Sequence, residues 1–188
     1  MRFELIKKEQ FEDDFAVAFT SGNLDKAIEA SFTSDNLSTR LRKMADIVYD
    51  SLVLPRRATI GSAGYDFFYP LELRIPEGLT VKIPTGIAWN AKGEGNYVLC
   101  IYPRSSLGIK YSLREPNIIS VIDYDYYGCK QNGGHIHVFL RNEGNNGVCI
   151  IKPYSAYCQG IIHNFFLTED DNTTTTRSGG IGSTSSLI

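Results

Sequence analysis

The chain has 188 residues, 43% of them hydrophobic and 12% aromatic, which is enough for one sizeable core but short for two full domains. Its formal net charge of -2 gives no overall basic field, which argues against a general DNA or RNA binder but leaves room for a local phosphate site. Charges fill the first eight residues, where a signal peptide needs an apolar stretch, and no apolar run approaches the ~20 residues that span a bilayer. We therefore expect a soluble, cytoplasmic protein without a membrane partner.

The N-terminal quarter of the chain predicts one strand and then helices. Residues 1–8 contain a short strand at Phe3–Lys7, and apolar residues recur three to four apart through residues 9–53. Gly22 and Asn23 interrupt this helical stretch. A cover that shields the rest of the protein from solvent and a docking surface for a partner are both open as its role.

Residues 54–167 predict an all-β core. Short runs rich in β-branched and aromatic residues alternate there with Gly, Pro and Asn, which favours a sandwich, barrel or jelly roll over a parallel α/β sheet. The predicted strands are Tyr65–Phe68, Leu79–Ile83, Tyr97–Tyr102, Ile118–Ile122, His135–Arg141, Gly147–Ile151 and Gln159–Phe166.

Residues 168–188 are acidic at first and then rich in threonine, glycine and serine. Such a segment cannot bury enough apolar area to order itself alone. We expect a flexible arm that becomes ordered when a ligand binds it.

Two stretches offer groups that suit a phosphate. Arg104, Ser105 and Ser106 precede Gly108 and supply guanidinium and hydroxyl donors. A turn held by an arginine salt bridge is the alternative. In the arm, Arg177 stands beside a glycine-rich run, which resembles a loop that wraps phosphates; a solvated tail is the alternative there. The arm's candidate residues are Arg177, Gly179, Gly180, Ser183 and Thr184.

A third stretch carries a candidate base. Asp123 follows an apolar strand and precedes tyrosines, and could accept a proton from water. An aspartate bonded to its own turn is the plainer interpretation. Tyr126 could stack on a sugar or base, or belong to the core.

The histidines and cysteines give weaker indications. His135 and His137 project to one face of a predicted strand and could bind a metal, but no third ligand is evident, so a structural role is favoured. The four cysteines show no spacing typical of zinc sites and are interpreted as reduced thiols.

Taken in order, these segments closely resemble the five motifs of the homotrimeric all-β dUTP diphosphatase (dUTPase) family, over about two thirds of the chain. The motifs fall at Leu54–Asp66, Pro103–Gly108, Asn117–Gly128, Cys158–Gly160 and Arg177–Thr184. The resemblance implies a jelly-roll or β-barrel core with an N-terminal helical insertion, and a homotrimer that shares its active sites between subunits. It also implies hydrolysis of dUTP to dUMP and diphosphate by Mg²⁺-assisted attack of water at the α-phosphorus.

The resemblance also assigns roles. Asp123 would activate the water, with Gln159 and Ser105 holding water and phosphates. Asn117 would read the uracil and Tyr126 would exclude a 2′-hydroxyl, while Asp66 would contact Mg²⁺ through water only. The catalytic candidates are Asp123, Arg177 and Gln159, and the substrate-binding candidates are Arg104, Ser105, Ser106, Gly108, Asn117, Ile122, Tyr126, Gly179, Gly180, Ile181, Ser183 and Thr184.

Several positions depart from the family pattern. Ser120 stands where the family usually has Gly, Ile181 replaces the usual aromatic residue of the arm, and Tyr127 replaces an Arg, followed by an inserted turn at Cys129–Gly134. A catalytically weak or inactive relative that acts as a binding or regulatory protein is therefore one alternative. A relative of dCTP deaminase is another, although the acidic residues Asp123 and Asp125 have the dUTPase spacing.

Overall fold

A computed structural model describes residues 1–18, 34–145, 147–175, 177 and 179. Its helices are α1 (Lys8–Ala18), α2 (Ser34–Asp50) and α3 (Ser105–Tyr111), with a 3₁₀ turn at Tyr124–Tyr126. Its strands are β1 (Arg2–Leu5), β2 (Tyr65–Phe68), β3 (Leu73–Ile75), β4 (Thr80–Pro84), β5 (Ile87–Asn90), β6 (Tyr97–Pro103), β7 (Leu113–Arg114), β8 (Ser120–Asp123), β9 (His137–Asn142), β10 (Cys149–Ile151) and β11 (Ala156–Asn164).

The strands form four small antiparallel sheets. The largest has the order β2-β11-β6-β8, and the others are β4-β9-β7, β1-β5 and β3-β10. Strands distant in sequence are neighbours in each sheet, as in a jelly roll. The described strands do not close into a barrel, so the jelly-roll half of the prediction holds.

The strand-rich core is apolar and continuous with the inserted helices. Within α1, Phe11, Phe15 and Ala18 are fully or almost fully buried, and their spacing places them on one helical face. Helix α2 buries Leu41, Ala45 and Val48 in the same core. The helices therefore complete the hydrophobic core and are not a loose attachment.

Polar contacts also fasten the helices to the first strand. The Tyr49 hydroxyl in α2 donates a hydrogen bond of 2.6 Å to the Ile6 carbonyl, just after β1. Lys8 pairs with Asp46 and, at 2.9 Å, with Asp50, which joins the two helices. The predicted break at Gly22 and Asn23 lies outside the described residues.

The predicted strands were placed well and their ends less so. Tyr65–Phe68 agrees residue for residue, while the first strand ends at Leu5 and not at Lys7. The strand predicted from His135 begins at His137. Three short strands, β3, β5 and β7, were not predicted, and α3 occupies a stretch interpreted as a turn. No described helix is long and apolar enough to cross a membrane.

Candidate active site

The four-stranded sheet carries residues from the first four of the five sequence motifs. Gln159 on β11 lies opposite Asp66 on β2 and opposite Tyr102 on β6. Asp123 at the end of β8 lies opposite Val98, four residues back along β6. At about 3.3 Å per strand residue, these two positions are roughly 13 Å apart along the strand. One chain therefore presents two separate groups of candidate residues.

The first group is built around an ion pair at the carboxyl end of β6. Arg104 Nη1 donates to Asp66 Oδ1 at 2.6 Å, and the Asp66 side chain is only 8% exposed. Arg104 immediately precedes α3, and its carbonyl accepts the backbone N–H groups of Leu107 and Gly108, each at 3.0 Å. Ser105 and Ser106 lie exposed on the first turn of this helix. The salt bridge of Arg104, which was one of the two interpretations of this stretch, is therefore present. The exposed serines Ser105 and Ser106 lie next to it.

The Gln159 side chain lies against Gly64, which has no Cβ atom to obstruct it. A Cβ atom on Gly64 would lie 2.4 Å from Gln159 Oε1 and 3.2 Å from its Cβ. The Gln159 side chain therefore folds over the space that the glycine leaves. This support could not be read from the sequence, although Gly64 belongs to the first motif.

The second group joins the third motif to the arm. The Arg177 guanidinium donates through Nη2 to Asp123 and through Nε, at 3.1 Å, to Asp125. Its carbon Cζ lies 5.8 Å from the centre of the Tyr126 ring. The Arg177 side chain is 15% exposed, whereas Asp123 is 47% exposed. The arm arginine thus sits between two carboxylates and an aromatic face.

The arm arginine and the acidic pair that it contacts belong to one chain. Two carboxylates two residues apart offer a guanidinium a charge-assisted hydrogen bond on each of two nitrogens. Sharing between subunits stays a prediction.

Tyr126 is buried and fixed by its hydroxyl. The hydroxyl donates to the His135 carbonyl at 3.0 Å and accepts from Asn132 Nδ2 at 2.7 Å. Burial raises the pKa of Tyr126. The ring forms part of the wall of a cavity of about 400 Å³, within the range of ligand pockets. The other walls come from Asp14, Lys82, Gln131, Asn132, His137 and Phe139.

A second cavity of about 590 Å³ lies on the other side of the inserted turn. It runs between the first residues of the chain and Tyr127–Lys130. No predicted catalytic residue lines either of these two cavities, but Tyr126, a predicted substrate-binding residue, lines only the smaller one. We therefore associate the candidate site with the smaller cavity beside Tyr126.

The start of the third motif forms a tight turn. Asn117 is exposed, and the Ile118 N–H donates to the Glu115 carbonyl at 2.9 Å. The Ser120 hydroxyl donates to the buried carboxyl group of Glu115. Burial raises the pKa of Glu115 to about 7, although the hydrogen bond from Ser120 acts against this. Ser120 therefore has a bonding partner within the turn, and Ile122 beyond it is buried.

The two histidines have a third neighbour that the sequence did not reveal. Asp14 from α1 reaches His135 Nδ1 at 2.5 Å and His137 Nε2 at 3.5 Å. The sequence made no third ligand evident, and the structure supplies a candidate in Asp14, because α1 packs on the core close to these positions. The cysteines agree with their prediction, since all four are free thiols and three are buried.

The structure describes two of the arm's candidate residues, Arg177 and Gly179. Gly179 is described and half-buried, whereas the candidates Gly180, Ile181, Ser183 and Thr184 lie outside the described residues. Fold and site define an all-β protein in which acidic, arginine and aromatic side chains converge at the end of one strand.

Comparison with known proteins gives the family. A model of the dUTPase family matches residues 50–185. The deoxyuridine 5'-triphosphate nucleotidohydrolase of Lactococcus lactis subsp. lactis (strain IL1403) is 36% identical over 134 residues, covering 70% of this chain and 87% of the relative. That of Bordetella pertussis is 35% identical over 138 residues, with the same coverage of both chains. The chain belongs to the dUTPase family.

Solved structures agree with this assignment. The dUTPase from Streptococcus mutans superposes with a TM-score of 0.59 at 25% identity, covering 90% of this chain and 99% of that one. A dUTPase from phage phi11 of S. aureus gives a TM-score of 0.54 at 17% identity, covering 69% of this chain and 94% of that one. The second likeness shows a shared fold alone.

Proposed function

We propose that this chain hydrolyses dUTP to dUMP and diphosphate. The observation that carries the proposal is the meeting of Arg177 with Asp123 and Asp125 beside the Tyr126 ring. The third motif supplies the carboxylate of Asp123 and the aromatic ring of Tyr126, and the fifth motif supplies the guanidinium of Arg177. These two motifs are far apart in sequence but meet at one place. The names of the most similar relatives point to the same reaction.

Asp123 acts as the base in this proposal. The water oxygen forms a bond to the α-phosphorus, the bond from that phosphorus to the bridging oxygen of diphosphate breaks, and the proton passes to Asp123. Arg177 must leave Asp123 for the phosphate oxygens, because the carboxylate has to be free to accept the proton. Exchange of one anionic partner for another costs the arginine little, since its charge stays compensated.

The remaining candidates divide between positioning and specificity. Tyr126 packs against the deoxyribose and Asn117 reads the uracil edge. Gln159, Ser105 and Arg104 hold the phosphates and the attacking water. Positioning of this kind can supply most of the catalysis, since a phosphate ester needs alignment and charge neutralisation more than covalent help.

Mg²⁺ fits this site through the substrate and not through a cage of side chains. Asp66 is buried against Arg104, and Asp123 and Asp125 are paired with Arg177, so few carboxylate oxygens are free. Magnesium commonly keeps its waters and binds phosphate oxygens. Asp66 would contact it through water only. When bound, the ion would supply charge neutralisation and alignment of the phosphates.

The functional unit in this proposal is a homotrimer with shared sites. The roughly 13 Å that separates Asp123 from the Gln159 position along β6 favours this arrangement, because the two groups of one chain face different stretches of the sheet. The four free thiols fit a reducing compartment, and we place the protein in the cytoplasm.

The experiment measures diphosphate release from dUTP, dCTP, dTTP and UTP, with and without Mg²⁺. Asp123→Asn is the test variant, and Asp170→Asn, an exposed carboxylate beyond the last strand, is its control. Loss of the base should lower kcat by ~10²-fold or more while dUTP still binds. Absence of dUTP hydrolysis by the parent would instead favour the binding or regulatory alternative, and ammonia release from dCTP would favour the deaminase.

A further inference from the structure

The contact between the inserted helix α1 and the β core contains a buried polar cluster. Asp14 Oδ2 lies 2.5 Å from His135 Nδ1 and 3.5 Å from His137 Nε2, and the two imidazole rings are 4.3 Å apart. His135 is fully buried and Asp14 is largely so. Burial acts to raise the pKa of Asp14, but the hydrogen bond with His135 and the nearby imidazole of His137 outweigh it and hold that pKa below its usual value.

The backbone fixes which nitrogen of His135 carries a proton. Nε2 accepts a hydrogen bond of 2.8 Å from the Gly86 N–H and must therefore be unprotonated. The proton of the neutral ring is on Nδ1, where it is donated to Asp14. Burial, as the largest cause, lowers the pKa of His135 to about 4 in spite of the neighbouring carboxylate, which agrees with a neutral ring.

This assignment leaves His135 without a lone pair for a metal. Nε2 accepts from Gly86 and Nδ1 donates to Asp14. A metal ion at Nε2 would have to displace the Gly86 N–H, and one at Nδ1, beside Asp14, would require the Nδ1 proton to move. Among the described residues, this is the one group of three side chains spaced for metal binding. The hydrogen bonds of His135 favour a structural role for this group.

A series of hydrogen bonds connects Asp14 through His135 to Tyr126. The carbonyl of His135 accepts the Tyr126 hydroxyl at 3.0 Å and Asn132 Nδ2 at 3.2 Å. Asn132 Oδ1 accepts the Gly134 N–H at 3.2 Å, which ties the inserted turn to the same point. A ring held at both nitrogens keeps its own backbone carbonyl in place. Asp14 and Tyr126 also line the same cavity of about 400 Å³.

We propose that Asp14 is a positioning residue for substrate selection: through His135 it fixes the ring of Tyr126, so that the inserted helix helps to discriminate 2′-deoxyribose from ribose. The inference rests on the proposed function, in which Tyr126 packs against the sugar. It gives the helical insertion a role in specificity, reached through one carboxylate and one imidazole.

The test compares kcat/KM for dUTP and for UTP in four variants. Asp14→Ala removes the acceptor, and Asp14→Leu removes it without leaving a cavity, in case the alanine variant does not fold. Asp14→Asn keeps an oxygen that can accept the Nδ1 proton. Tyr49→Phe is the matched control. It deletes the hydrogen bond from Tyr49 to the Ile6 carbonyl, which also joins the inserted helices to the core but is not one of the hydrogen bonds between Asp14 and Tyr126.

We expect Asp14→Ala and Asp14→Leu to lower the preference for dUTP over UTP by roughly tenfold, the effect of losing one positioning hydrogen bond. Asp14→Asn should restore most of the preference. Tyr49→Phe should lower the melting temperature and leave the preference at the parent value. A folded Asp14→Ala or Asp14→Leu protein with the parent's preference would overturn the proposal.

Two further measurements distinguish a failure of this inference from a failure of the proposed function. If Tyr126→Ala does not admit UTP although the parent hydrolyses dUTP, the role of Tyr126 in the proposed function is wrong. If Tyr126→Ala admits UTP and the Asp14 variants do not, only the present inference is wrong. An equimolar addition of Zn²⁺ that raises the melting temperature of the parent, but not of Asp14→Asn, would show a metal centre and contradict the assignment of the His135 proton.

Discussion

The guanidinium of Arg177 donates to the carboxylate of Asp123 across 54 residues of the same chain. The proposed base and the proposed phosphate-binding cation therefore neutralise each other before substrate arrives. Asp123 is 47% exposed while Arg177 is only 15% exposed, so water reaches the carboxylate more readily than the cation. A triphosphate would compete with Asp123 and Asp125 for Arg177 and release the base when it binds.

Replacement of Arg177 should abolish turnover without unfolding the protein. Arg177→Ala is expected to lower kcat by ~10³-fold, because an arginine on a transferring phosphoryl group acts chiefly on transition-state charge. The melting temperature should change little, since no core side chain is lost. Steady-state kinetics and thermal melting are the measurements.

The control for this variant is Arg74→Ala, which breaks an exposed ion pair with Glu72. It should leave kcat at the parent value. Arg177→Ala with parent-like kcat would show that the arm arginine is no part of the site, and that its contact with Asp123 is a surface ion pair.

The Arg104 and Asp66 pair predicts a stability effect of a different kind. Arg104→Ala leaves a carboxylate that is 8% exposed without its partner. Removing one member of a fully buried pair costs about 3–5 kcal/mol, and the 35% exposure of Arg104 lowers the expected loss to about 2 kcal/mol.

A double-mutant cycle isolates this interaction. Asp66→Asn combined with Arg104→Ala should be less damaging than the sum of the two single changes, because no unpaired charge remains in the double variant. Arg74→Ala, from an exposed pair, should cost less than ~1 kcal/mol. Strict additivity in urea denaturation would contradict the coupling between Arg104 and Asp66.

The sequence predicted those parts of the fold that carry a pattern of their own. Tyr65–Phe68 and the amphipathic helices were placed because their residues show strand-like or helical periodicity. Strands β3 and β7, with three and two residues, are too short for any period and exist only through their partners β10 and β9. Helix α3 was not predicted, because its two serines and Gly108 are typical of turns.

The candidate site divides in the same way. Asp123, Tyr126 and Arg177 could be found from motif residues, and the structure brings the three together. Asp14 could not be found, since it is 121 residues from His135 and meets it only after α1 has packed on the core. Contacts between a segment without motifs and the core require the tertiary structure.

Gly64 should be as important to Gln159 as any polar partner. In Gly64→Ala, the new Cβ would lie 2.4 Å from Gln159 Oε1, so the Gln159 side chain must turn away. We expect kcat to fall by up to ~10²-fold, the cost of losing one positioned hydrogen-bonding group. Gly61→Ala is the matched control, because a Cβ there meets nothing within 4 Å.

The mechanism of this loss can be checked with a second variant. If Gly64→Ala acts through Gln159, then adding it to Gln159→Ala should lower kcat no further. A double variant much slower than Gln159→Ala would show that the glycine acts by another route, for example through the backbone of the first motif.

Glu115 predicts a pH-dependent change in stability. Its pKa is about 7 in the folded protein, chiefly through burial, against 4.5 for the ordinary carboxyl group. Between pH 4.5 and 7 the folded state therefore holds a proton that the unfolded chain has released, so stability falls as the pH rises through this window. The full loss, an upper bound of about 3 kcal/mol, is reached above pH 7.

Glu115→Gln removes this titration and keeps an oxygen that can accept the Ser120 hydroxyl. The variant should be more stable than the parent at pH 8 and should lose its advantage below pH 4.5, where the parent's carboxyl group is protonated in both the folded and the unfolded state. Free energies of unfolding from urea titrations at pH 4, 6 and 8 are the measurement. Glu169→Gln, at an exposed position near the arm, should show no such pH-dependent difference. A gain from Glu115→Gln that is equal at all three pH values would mean that packing, and not a retained proton, distinguishes the two side chains.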